Sequence, residues 1–140
     1  MTQVTTYRLA AAGALLIALT AAYFWGASGK GDLARAVQAA ELRGTLLESR
    51  AAVLDARVEI YNINFGEASR HLEDARVALG RASQELRAVT REEDAKRLDS
   101  AIATIDDAQR LARQLNQDAN SRAADVANVI AAVLAPQGTR

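Results

Sequence analysis

Cysteine is absent from this 140-residue chain, and histidine, proline and tryptophan occur once each. Without cysteine no thiolate zinc motif can form, and the redox character of the compartment leaves no mark on the sequence. The lone imidazole, His71, has no ligand motif around it: Glu67 and Asp74 do not make the Glu-x-x-His pairs of di-iron bundles. No glycine-rich phosphate loop and no nucleophile elbow occurs. An excess of either sign of charge is missing as well. Lysine plus arginine and aspartate plus glutamate both number 17, and the formal net charge is +0. No basic field therefore exists to collect phosphates, which argues against nucleic acid as a partner. General acid and base work needs titrating groups whose pKa a pocket has moved, and this inventory offers few. The expectation is a non-catalytic protein with no cofactor, no metal and no small-molecule substrate.

One long stretch lacks charge altogether. Residues 9 to 27, Leu-Ala-Ala-Ala-Gly-Ala-Leu-Leu-Ile-Ala-Leu-Thr-Ala-Ala-Tyr-Phe-Trp-Gly-Ala, are long enough as a helix of about 1.5 Å rise per residue to cross a bilayer core. Arg8 borders the run on one side, and Tyr23, Trp25 and Lys30 border it on the other, as aromatic rings and snorkelling cations do at a membrane interface. The small residues Gly26 and Ser28 would suit a signal peptidase, but signal-peptide cores run to about 15 residues. An uncleaved signal-anchor is expected. Within the run, Ala10, Ala14, Ala18, Ala22 and Gly26 recur every fourth residue and stack small side chains on one ridge, which lets another membrane helix approach closely.

Orientation is set by two opposing signals. Lys30, Arg35 and Arg43 follow the span and vote for a cytoplasmic C-terminal side, but long segments translocate largely regardless of charge. The short, weakly basic leader reads as the n-region of a signal-anchor. The expected placement is a bacterial inner membrane, single-pass, with residues 1–8 in the cytoplasm and the C-terminal domain in the periplasm.

Ser28-Gly29-Lys30-Gly31-Asp32 predicts a hinge, with two glycines relaxing the backbone and Asp32 capping the next helix. Residues 33–135 then predict an all-α bundle. Val37, Gly44, Ala51, Val58, Phe65, Leu72, Leu79 and Leu86 fall seven apart, and Ala40, Leu47, Leu54, Tyr61, Ala68, Ala75, Ala82 and Val89 fill the intervening positions. Such a heptad specifies helices burying a narrow seam. Glu41, Arg43, Glu48, Arg50, Arg57, Glu73 and Arg76 lie off it and read as a solvated face. The frame breaks at Val89-Thr90, where Thr90-Arg91-Glu92-Glu93 fits a capping box. A last helix over 91–134 carries Leu98, Ile105, Ala112, Ala119, Val126 and Val133 with Ala95, Ile102, Ala123 and Ile130. Glu93/Arg97, Asp106/Arg110 and Asp118/Arg122 stand four apart as favourable pairs. Gln109 and Asn116 interrupt its apolar frame and are expected to face water. Pro136 and Gly138 end it, leaving 136–140 as a tail.

Tyr61-Asn62-Ile63-Asn64-Phe65-Gly66 is rich in turn formers yet leaves the heptad count intact. Two architectures follow: three helices over about 33–62, 65–89 and 91–134, or a long two-helix coiled-coil hairpin. Asn64-Phe65-Gly66-Glu67-Ala68, continuing to Leu72 and Ala75, resembles the turn and second helix of a tetratricopeptide repeat. The likeness covers a dozen residues. Asp55, Ala56 and Glu59 replace the repeat's leucine, glycine and tyrosine, and no second copy follows, so it implies a turn near Asn64 and three helices, not a solenoid.

The functions this organisation suits are those of a helical surface on a tether. A structural or accessory subunit of a larger membrane complex, of respiratory, photosynthetic or secretory type, is expected, with lipid and other membrane subunits as partners. Alternatives are a sensory bundle resembling bacterial receptor domains, although no second apolar run follows residue 27 to lead to an output module, and a self-associating coiled-coil anchor, in which the partner is a second copy.

Overall fold

The computed structural model describes the backbone of residues 3–135 and the side chains of residues 31–135. It is all-α, with α1 at Gln3–Tyr61, α2 at Phe65–Ala88, α3 at Glu92–Arg113 and α4 at Ala119–Leu134, and no strand among the described residues. Two compact units are distinguished, residues 1–39 and residues 40–140.

In the first unit the backbone is helical from Gln3. The expected hinge at 28–32 is not formed, since the helix runs through it. Each glycine costs a helix only about 1 kcal/mol, which neighbouring helix formers can offset. Asp32 is accordingly no cap, and its carboxylate lies 3.6 Å from Arg35 on the exposed helix surface. The side chains of the uncharged run 9–27 lie outside the described residues. So do those of the proposed packing ridge, Ala10 to Gly26, and of the interface residues Arg8, Tyr23, Trp25 and Lys30. Among the described residues no helix is long and apolar enough to cross a membrane.

The second unit contains the bundle. Three of its connections share one device. α1, α2 and α3 each end in a left-handed residue, Ile63 (φ 61), Thr90 (φ 63) and Leu115 (φ 56), flanked by a paired closure. Ile63 N–H donates to Ile60 O at 3.0 Å and Asn64 N–H to Glu59 O at 2.8 Å. The same pattern recurs as Thr90 to Arg87 and Arg91 to Leu86, and as Leu115 to Ala112 and Asn116 to Leu111. These are Schellman closures, which satisfy the orphan carbonyls of a helix end and usually employ glycine at the left-handed position.

Two expectations are corrected by these closures. Thr90 terminates α2 and makes no capping box; the N-cap of α3 is Arg91, without a side-chain cap bond. The expected helix over 91–134 is two helices, because α3 stops at Arg113 and α4 starts at Ala119. At the break, Asn116 Oδ1 accepts from the Asp118 N–H at 2.8 Å, so the asparagine side chain supplies a local alternative to the helical ladder. The bundle thus has four helical segments, and the turn at 62–64 excludes the long hairpin.

The core alternates large and small residues. Leu72, Leu79 and Leu86 of α2 are fully buried with Ala75 and Ala82 between them and Ala68 a turn ahead, and Leu98 and Ile105 of α3 share one core cluster with Val126, Ile130 and Val133 of α4. Alanines at these spacings let helix axes approach closely while each buried leucine or isoleucine contributes roughly 1.5–3 kcal/mol. A second cluster, Ile60, Phe65, Ala68, Ala112 and Ala119, closes the end where α1 turns into α2. Phe65, Leu72, Leu79, Leu86, Leu98 and Ile105 of the expected seam lie in the core.

The α1 portion of the seam does not. Its buried row is Leu42, Leu46, Ser49, Val53, Ala56 and Ile60. Leu47 is 47% exposed and Tyr61 77% exposed, and Leu54 is only half-buried. The physical reason is the turn at 62–64: once the helix is broken, a heptad count carried across the break no longer identifies one face. Residues 40–61 hold two apolar rows, and the bundle uses the other one.

Candidate interaction surface

The row that the bundle leaves out is the site of interest. In residues 40–61 it comprises Ala40, Gly44, Leu47, Ala51, Leu54, Val58 and Tyr61, spaced alternately four and three apart; all are exposed except the half-buried Leu54. With 3.6 residues per turn this row falls about half a turn around α1 from the buried row. Most of it faces away from the core, although Leu54 packs against the core and Val58 and Tyr61 share a groove with Asn120 of α4. The same register continues in the sequence upstream to Val37 and Leu33, 48% and 68% exposed.

Charges border the row in an ordered way. Glu41, Glu48 and Asp55 follow Ala40, Leu47 and Leu54 on one flank. Arg43, Arg50 and Arg57 precede Gly44, Ala51 and Val58 on the other. Arg57 Nε donates to Asn120 Oδ1 of α4 at 2.8 Å. Among the described residues the other five make no ion pair, and the Nε of Arg50 is buried with no hydrogen-bond partner. Among the described residues Glu85 Oε2 of α2 is likewise buried without a hydrogen-bond partner, and each such group costs free energy to bury.

Elsewhere most charges of α2 and α3 pair within the fold. Glu73 accepts from Arg76 Nε at 2.9 Å and Nη2 at 2.6 Å, and from Gln109 Nε2 at 3.2 Å. The Arg76 hydrogen bond, followed by that of Gln109, holds the Glu73 carboxyl down to about 2. Gln109 is buried, contrary to the expectation that it faces water, and also donates to Ser69 O at 3.3 Å. Ser83 donates to Asp99 Oδ1 at 2.7 Å while Arg87 reaches both, joining α2 to α3. Buried Asp94 is held by Arg91 at 2.6 Å and Arg97 at 3.5 Å. The pairs expected four apart give way to pairs three apart: Lys96 with Glu93, Arg97 with Asp94, and Arg110 with Asp107. Asp107 is lowered by its hydrogen bond from Arg110, and Arg122 of α4 approaches it at 3.9 Å. Carboxylates three residues back were within reach on the same helix face.

A groove of about 370 Å³ separates α1 from α2, lined by Glu48, Ala51, Asp55, His71, Asp74 and Arg81 among others. His71 is partly buried, with Nε2 3.9 Å from Glu67 Oε1. Among the described residues no cluster of three or more histidines and carboxylates could hold a metal ion. A second groove, of about 340 Å³, runs along Leu54, Arg57, Val58, Tyr61 and Asn120, so the outward row is bounded by a depression at its C-terminal end.

Sequence reasoning found every residue of this row but assigned it to the core. It also found most of the bordering charges and took them for solvated surface. Their segregation, acid on one flank and base on the other, was the available signal. Comparison with protein-family models, with curated proteins and with solved structures finds no match for this chain.

Proposed function

We propose that this chain is a non-catalytic, membrane-tethered helical protein whose work is protein–protein contact, as a structural or accessory subunit of a larger membrane assembly. The observation that carries the reading is the uncharged run 9–27, whose backbone is helical within α1 and whose length matches a bilayer core. Its alanine ridge gives a surface for neighbouring membrane helices. The outward row of α1 supports the same reading from the other unit, since contiguous exposed apolar surface on a small protein marks an interaction site. The proposed placement is a bacterial inner membrane, with the N-terminus cytoplasmic and the bundle periplasmic.

The test is extraction of native membranes with a mild detergent, followed by mass measurement of the species that contains the full chain. A defined assembly with other membrane proteins is expected. Recovery of this chain as an isolated monomer would overturn the accessory-subunit reading.

A further inference from the structure

The outward row of α1 has the composition and the charge order of one half of a parallel coiled coil. We propose that its occupant is the same row of a second copy of this chain, in parallel and in register.

Heptad positions follow from the spacing. Gly44, Ala51 and Val58 occupy one core position (a), and Ala40, Leu47, Leu54 and Tyr61 occupy the other (d); Val37 and Leu33 extend these upstream in sequence. Val58 at a, with Val37 upstream, and Leu47 and Leu54 at d fit the β-branched-a, leucine-d choice that favours two parallel strands. Ala40, Gly44 and Ala51 add small residues that let two backbones come close. A Cβ built on Gly44 meets nothing within 4 Å, so nothing in the chain's own fold occupies the space above it.

The flanks decide the partner and its direction. Position g carries Arg43, Arg50 and Arg57, and position e carries Glu41, Glu48 and Asp55. In a parallel pair, g of one heptad faces e of the next heptad on the other helix. Arg43 then meets Glu48 of the second copy, Arg50 meets Asp55, and symmetry doubles both contacts. In an antiparallel pair, g faces g and e faces e, which places arginine against arginine and carboxylate against carboxylate. Those four side chains make no ion pair among the described residues, as is also true of Asp74, Arg81, Glu85, Asp106 and Arg113, whereas most other charges of α2 and α3 are paired locally.

Because the outward row lies about half a turn from the buried one, a two-fold axis along it puts the two bundles on opposite sides. The proposal does not rest on the membrane tether: the surface exists whether the chain is anchored or not.

The absence of native cysteine makes the test clean. Single substitutions to cysteine are introduced one at a time across residues 40–61 of the full chain, and disulfide formation between copies is measured under mild oxidation. Parallel, in-register pairing predicts strong maxima at Ala40, Gly44, Leu47, Ala51, Leu54 and Val58, recurring over the whole length, with several-fold lower yield at Ala103→Cys, an exposed control on α3. Maxima confined to one point of the row, as an antiparallel crossing gives, or yields no higher than the control, would overturn the proposal. A second measurement is independent of cysteine chemistry. Glu48→Arg should abolish most dimer, and adding Arg43→Glu to the same chain should restore it by exchanging the pair; dimer unaffected by the first change, or not restored by the second, contradicts the charge assignment. The scan is read both in membranes and on any chain recovered in aqueous solution, so a failed tether and a failed dimer give different results.

Discussion

Gln109 on α3 donates its amide hydrogen to Glu73 Oε2 on α2 at 3.2 Å, and this contact crosses the helix pair at a position where the heptad calls for an apolar residue. A buried amide with a defined partner fixes how two helices align. It also links stability to pH.

The Glu73 carboxyl is held at about 2, below its ordinary 4.5, by hydrogen bonds from Arg76 and then Gln109. A depressed carboxylate pKa contributes stability that is fully present above 4.5 and is lost as pH falls through about 2. Because the Glu73 side chain is 45% exposed, screening limits the contribution to about 1 kcal/mol or less. Denaturant melts between pH 6 and pH 2 should show Glu73→Gln losing less stability on acidification than the parent chain. Parallel curves for the two would contradict the linkage.

The two rows of α1 predict opposite outcomes for adjacent leucines. Leu46 is 2% exposed and Leu47 is 47% exposed. Leu46→Ala should destabilise the bundle by about 2–5 kcal/mol. Leu47→Ala, at a protein concentration too low for self-association, should change stability by no more than about 0.5 kcal/mol. Equal losses in chemical denaturation would mean that the buried row is misassigned.

Ile63 and Leu115 hold left-handed backbone with 70% of each side chain exposed. A residue with a Cβ is strained there, and glycine is not. Ile63→Gly and Leu115→Gly should each raise stability by about 1 kcal/mol, visible as an increase in Tm. A decrease would show that these side chains pack against something outside the isolated fold.

On the proposed membrane anchor, Ala14→Leu combined with Ala18→Leu should leave insertion intact and weaken association with membrane partners, because the proposed small ridge is filled while the run stays apolar. Co-purification yield measures this, and an unchanged yield removes the ridge from the account.

Much of the fold was legible because α2, α3 and α4 are narrow-seamed. Phe65, Leu72, Leu79 and Leu86 leave one face for the core, and Leu98, Ile105, Val126 and Val133 do the same. α1 was ambiguous for the opposite reason. Leu42, Leu46, Val53 and Ile60 form one valid row and Leu47, Leu54, Val58 and Tyr61 another, and periodicity alone cannot say which one a neighbour covers. Asn116 was visible as a break in the apolar frame, but its turn-forming capacity outweighed the helical pattern only through the bond to the Asp118 N–H. The terminal Schellman closures carried no glycine signal, so their positions were hidden behind Ile63, Thr90 and Leu115. The interaction surface was legible as residues and not as a surface, since its identity depends on which row the tertiary fold leaves open.

The most direct measurement of the central claim is the distribution of the full chain after alkaline carbonate washing of cell membranes, compared with a variant carrying Leu16→Arg and Leu19→Arg. Each arginine near a span centre opposes insertion by about 2.5–3.5 kcal/mol. The account predicts that the parent chain stays in the membrane pellet and that the variant is released. A parent chain recovered in the supernatant would contradict it.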